Sequence, residues 1–278
     1  KQVGALTTQQ IASFNTATLR ALTTDQVPGL SNGALAILSD ASLAAFSGDQ
    51  IKALKTSQVA ALTTSQFSVI TSTTLRALTT SQIAAIELAD LNVLTPDSLS
   101  VLQSDQLQAL TATQIAGLTS QQVYDLNTTV ISTLSTKQIA AIETTDLAVI
   151  GVEIFAGFNS AQVRALNTTQ ISELTTNQLA GLNSSWVSSL STTQLRSLEA
   201  TKLNVLDAVS LAAISVAQIV GLTTAQIAGL SNSTIESLNT AAVAALRTTQ
   251  IAAITTAQAV ALIDATLTAL TSSQIGAL

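Results

Sequence analysis

The segment Thr79-Thr80-Ser81-Gln82-Ile83-Ala84-Ala85-Ile86 holds the plan of the chain. Near-copies stand at 223–230 and 247–254, and from Thr7 onward the sequence is 34 consecutive octapeptides without an insertion or a deletion. With the octad numbered one to eight, position one is Ser, Thr, Asn or Asp in 26 units and position four is Gln in 19. Position five is apolar throughout, and every eighth residue from Leu6 to Leu278 is Leu, Ile or Phe. A polar residue three places before Gln is the spacing of a capping box. The first side chain accepts from the backbone N–H of the fourth residue, and the Gln accepts from the N–H of the first. Apolar residues three apart, with a small one beside them at position seven, share one face of a helical turn. Position six takes Lys, Arg, Asn, Ser and Tyr, which marks the solvent side.

One continuous helix does not fit this period. At about 100° per residue, eight residues overshoot two turns by about 80°, so the apolar stripe would wind around the helix and nothing could bury it. A β-solenoid is the alternative fold, favoured by the threonines and the short period. It would, however, turn positions five and eight to opposite faces, and Ala and Gln are poor strand formers. The expectation is an all-α solenoid with one helix of about six or seven residues per octad, ended by the polar pair that opens the next. Isolated helices below about 12 residues are marginal in water, so these must be held by their neighbours.

A second period of 56 residues lies above the first. Ile37, Val93, Val149 and Val205 replace the small residue of position seven, and Asn15, Asn127, Asn183 and Asn239 share another register. Phe46, Leu102, Phe158, Ile214 and Leu270 fall on one line, in octads that lack Gln at Ser42, Ser98, Ile154, Ser210 and Thr266. Residues seven octads apart therefore meet similar surroundings. Two turns per seven octads give 3.5 helices per turn and an interior that side chains can fill, whereas a single turn of seven would enclose a void. The sequence reads as one continuous solenoid over 1–278, a rod of roughly 80 to 100 Å at about 8 to 10 Å per stacked layer. It starts within an octad and finishes flush with one, which suggests a piece of a longer array.

Composition narrows the chemistry. The chain has no His, Cys or Met and is 9% charged, against about 25% in ordinary domains. Without imidazole or thiol there is no Ser-His-Asp or Cys-His pair and no zinc site of the usual type, so no catalytic, cofactor-binding or metal-ligating residue is expected and the protein reads as no enzyme. A net charge of −6 opposes nucleic-acid binding. No apolar run reaches 18 residues, so the chain is not expected to span a membrane. The absence of cysteine decides nothing about compartment.

The octads, such as Leu-Thr-Thr-Ala-Gln-Ile-Ala-Gly-Leu at 222–230, resemble the Thr/Gln-rich octapeptide arrays of very large bacterial surface proteins. Such proteins are labelled adhesin-like or haem-utilisation-like and are exported by type I secretion. The resemblance covers essentially the whole chain and implies an extracellular or cell-surface structural role. It brings no catalytic or ligand residue, and the common axial haem ligands His, Met and Cys are absent. The expected function is a structural rod, stalk or filament-forming region that associates with itself laterally or end to end. The alternative is an extended scaffold for a protein or glycan partner.

Three features stand out from the repeat. Ten of the 16 acids fall in the fourth and fifth of the seven octad slots, among them Glu87, Asp90, Asp97, Glu143, Asp146, Glu153, Glu199 and Asp207. They form a stripe open to calcium or a partner, although 13 of the 16 also sit in the first half of their octads, where a carboxylate favours a helix N-terminus. Trp186, like Val130 and Ile154, stands where Gln usually stands and reads as a lateral packing contact, with a binding hot spot as the other reading. Asn127, Asn167, Asn183 and Asn232 open Asn-x-Ser/Thr triplets that a Thr-rich repeat generates by chance.

Overall fold

The computed structural model describes residues 3–125, 128–262 and 264–278. Over these the chain is all-helical: 33 α-helices of four to six residues run from Thr8–Ala12 to Ser272–Ile275, one to an octad. The octad opening at Thr23 forms instead the 3₁₀ helix Val27–Gly29. Its sixth residue is Pro28, which has no N–H to give to the preceding turn. No strand occurs among the described residues, and the β-solenoid alternative falls because positions five and eight are buried together.

Each helix starts and stops by the same means. In the helix Gly48–Ala53 the N–H of Ile51 donates to the carbonyl of Ser47 at 2.9 Å, and that of Leu54 donates back to Ile51 at 3.2 Å. Leu54 is then extended (φ −59°, ψ 140°), and so is the next cap, Lys55 (φ −70°, ψ 154°). Two successive extended residues make the corner. None of the described residues has a positive φ, so the turn requires neither the glycine nor the asparagine that usually ends a helix.

The chain forms two compact units, Lys1–Ala141 and Ile142–Leu278. In the first, Thr80–Ala84 packs on Ser104–Ala109, three octads ahead. In the second, Thr168–Ser172 packs on Thr192–Ser197, again three ahead. Side-chain hydrogen bonds in both units run to the octad four away, as from Gln82 to Ile51 and Leu54. Neighbours at three and at four octads bracket a turn of 3.5, the number inferred from the 56-residue period.

Position five fills the centre: Leu19, Leu75, Ile83, Ile171, Val187 and Ile227 are fully buried. Each such side chain contributes about 1.5 to 3 kcal/mol through the area it removes from water. Position seven faces position two of the octad three earlier, and the fit is close. A Cβ on Gly181 would lie 2.0 Å from Val152 Cγ1, one on Gly221 1.8 Å from Thr192 Cγ2, and one on Gly117 2.4 Å from Leu88 Cδ2. Gly117, Gly181 and Gly221 at position seven thus answer a steric demand from a neighbouring turn. The larger Ile37 and Val149 at that position leave much of their surface in solvent.

Candidate functional site

The feature most often repeated is a buried glutamine. Gln82 accepts the N–H of Thr79 on Oε1 at 2.7 Å, and its Nε2 donates to the carbonyls of Ile51 at 2.8 Å and Leu54 at 2.7 Å. Gln178 does the same in the second unit, with Thr175 at 3.0 Å, Leu147 at 2.7 Å and Ile150 at 2.9 Å. A helix of one and a half turns leaves N–H groups unmet at its start and carbonyls unmet at its end. One amide therefore completes the start of its own helix and the end of the helix four octads before it. The octad spacing announced only the first half, because the second depends on how many octads make a turn. A signal for it does exist in the sequence. A capping box accepts Glu as readily as Gln, yet no Glu stands at position four in any octad; a carboxylate would face the two carbonyls with no hydrogen to donate.

Octads without Gln satisfy these groups by other routes. Asn239 caps its helix by accepting from the N–H of Ala242 at 2.8 Å, and its Nδ2 donates to Ile214 at 2.9 Å and Ala212 at 3.0 Å. Asn183 likewise accepts from the N–H of Trp186 and donates to Ala156. The asparagine register is therefore where the bridge passes from position four to position one. Asn15 caps through the N–H of Thr18, and Asn127 lies outside the described residues. Asn204, at position six, accepts the N–H of Ser231 at 2.8 Å and donates to Gly229 at 3.0 Å, because that later octad has Thr234 in place of Gln. Asn92 holds the same position four octads before Gln122, which already accepts the N–H of Thr119; the Oδ1 of Asn92 is buried without a partner. Lys202 donates to the carbonyl of Ser172, and Ser210 donates to that of Leu182 at 3.0 Å.

The arginines of position six are exposed as expected but do more than face water. Arg20, Arg76 and Arg164 each send Nε to a position-seven carbonyl three octads ahead, at Ala45 (3.3 Å), Val101 (3.0 Å) and Ser189 (3.2 Å).

Trp186 lies inside the second unit, 1% exposed, which removes it from any surface hot spot. Its ring is 5.6 Å from Phe155, which stacks on Phe158 at 4.8 Å. Phe155 is the residue whose carbonyl a Gln at 186 would meet, so the ring packs along the path the bridge would take, and its Nε1 finds no acceptor. Val130 is buried in the same octad position.

The acidic stripe divides by depth. Glu87, Asp97, Glu143, Glu153, Glu199 and Asp207 are exposed, whereas Asp90 and Asp146 are buried. Burial raises the carboxyl of Asp90 above its ordinary range, a 2.9 Å hydrogen bond donated by Thr64 lowers it, and the charge of Glu87 raises it again. Among the described residues no three of His, Cys, Asp or Glu gather closely enough to hold a metal ion. Of the Asn-x-Ser/Thr asparagines, Asn167 and Asn183 are used as caps, while Asn232 is the first residue of its helix. No helix among the described residues is long and apolar enough to cross a membrane.

A family model described as the ALTTAQ repeat matches residues 1–32, 83–120 and 139–176. No curated protein matches the chain. The chain is a repeat protein, similar over those three segments to the ALTTAQ repeat.

Proposed function

We propose that this array is a structural spacer, a stalk or filament-forming region of a bacterial extracellular or surface protein, and that it acts through its extent rather than through a reactive centre. The observation that supports this reading is where the recurrent residues spend their chemistry. The cap, the glutamine and the apolar pair of each octad are occupied in joining helix to helix, as Gln82 and Gln178 illustrate. A repeat whose shared residues are all committed inward is suited to being lengthened or shortened by whole octads. The resemblance to arrays of bacterial surface proteins gives the expected location.

Excision of residues 167–222, seven whole octads, from the protein in its native host tests the proposal. The spacer reading expects a folded product and a function that declines with the loss of length. Function indifferent to length but abolished by exposed point substitutions would overturn it in favour of a scaffold for a protein or glycan.

A further inference from the structure

The two signs of charge are sorted onto different faces. Counted in sevens from Thr7, the fourth, first and fifth slots are successive bridge steps. The octads opening at Glu143, Thr175 and Asp207 show this: Gln178 joins the second to the first, and Ser210 joins the third to the second. At 3.5 octads per turn these three slots lie side by side. Twelve of the 16 acids occupy them, with one of the ten bases, Lys202.

The same slots carry most of the apolar side chains that stand in solvent. In the first unit these are Ile37, Val69 and Tyr124; in the second they are Val149, Val209 and Val260, the last two 69% and 83% exposed. The remaining slots carry the bases. Arg20, Lys52, Lys55, Arg76 and Lys137 are exposed in the first unit, and Arg164, Arg196 and Arg247 in the second. On this basic side a surface depression opens between Lys52, Arg76, Thr79, Gln103 and Asp105.

We infer that the acidic, aliphatic face of each unit docks on the basic face of a second copy of this chain. Charge complementarity names the occupant: each copy carries both halves of the contact, and both follow the same 56-residue period, as Glu87, Glu143 and Glu199 do on one face and Lys137, Arg196 and Arg247 on the other, so a match at one octad recurs seven octads on. The two patches differ, so the contact is heterologous and leaves a free face on each partner for further growth. Opposite potentials would steer the approach and set the register, and the aliphatic side chains would lose water on contact. This inference rests on the spacer reading and adds the partner and the faces used.

Sedimentation velocity of the whole chain between about 0.02 and about 0.5 M salt provides the test, since screening lengths shrink several-fold over that range. Association at low salt that weakens roughly tenfold or more at high salt is expected. One variant carries Glu at Lys52, Lys137, Arg196 and Arg247; the other carries Lys at Glu87, Glu143, Glu153 and Glu199. Cap positions already accept both signs, as at Lys55 and Glu87, and circular dichroism verifies that each variant folds. Each variant alone should associate about tenfold or more weakly, and a mixture of the two should recover association. A wild type that stays monomeric, association insensitive to salt, or a mixture no stronger than its components would overturn the inference. If a variant misfolds, the salt response of the wild type decides alone. A monomeric chain whose function still tracks length would remove the docking faces and keep the spacer; associating chains whose function ignores length would do the reverse.

Discussion

At the scale of single residues, the repeat is governed by hydrogen-bond direction. Gln82→Ala strands the N–H of Thr79 and the carbonyls of Ile51 and Leu54, and should cost about 2 to 4 kcal/mol in urea unfolding. Gln82→Glu keeps the acceptor for Thr79 yet sets a carboxylate against two carbonyls, so at neutral pH it should cost more than the alanine. The ordering of those two variants, read from their denaturation midpoints, checks whether the donor half of the amide carries the load. Asp90 supplies a pH-dependent case. Its native carboxyl holds its proton more tightly than the unfolded one, chiefly through burial, so the contribution of this group to stability falls as pH rises from about its ordinary value of 3.8 through the raised native value. Asp90→Asn can still accept from Thr64 and should raise Tm at neutral pH, with the gain vanishing below about 3.8. The cap, the apolar pair and the acceptor half of the glutamine were all legible in one octad. The donor half was not, because its partners lie 28 and 31 residues back and no local spacing expresses a distance set by the number of octads per turn.

At the scale of the helix, small residues answer to neighbours. Gly181→Ala would set its Cβ 2.0 Å from Val152 and should cost about 1 to 3 kcal/mol. Adding Val152→Ala should return most of that loss in a double-mutant cycle, and additive effects would show that the two positions do not meet. The smallness of position seven was visible in the sequence, but its reason was not, since Val152 belongs to an octad three earlier. Trp186 is the single tryptophan and is buried, so its emission should be blue-shifted and report unfolding of the second unit. Trp186→Ala should cost about 3 to 5 kcal/mol through the cavity left beside Phe155. The sequence placed this residue in a glutamine position and read it as a lateral packing contact; the structure corrects that by burying the ring in the interior against Phe155, because a position-four side chain is long enough to reach the octad four before it.

At the scale of the whole chain, what the sequence made plain was the period and what it withheld was the use. The octad and the 56-residue repeat together led to 3.5 octads per turn, and contacts at three and bridges at four agree with it. The asparagine register and the octads lacking Gln stood in the sequence as two separate observations; the structure joins them, because Asn183 and Asn239 perform the bridge their octads lack. Excising 167–222 should leave a chain with native helical circular dichroism per residue, whereas excising only 167–170 should lower it, because it breaks the bridges that span the cut, those of Gln178 to Leu147 and Ile150 and of Gln194 to Val163 and Leu166. Equal helicity in the two deletions would show that the bridges are dispensable.

The corners, built from two extended residues and, among the described residues, free of any left-handed backbone, have a genetic consequence. No joint depends on a special residue, so a slip of the replication machinery by whole octads yields a product that still closes every turn. Slips of seven octads also return each side chain to its old compass bearing. Loci of this kind can change the size of their product between generations without passing through a misfolded ancestor, and size variation among close strains is the trace such a history would leave.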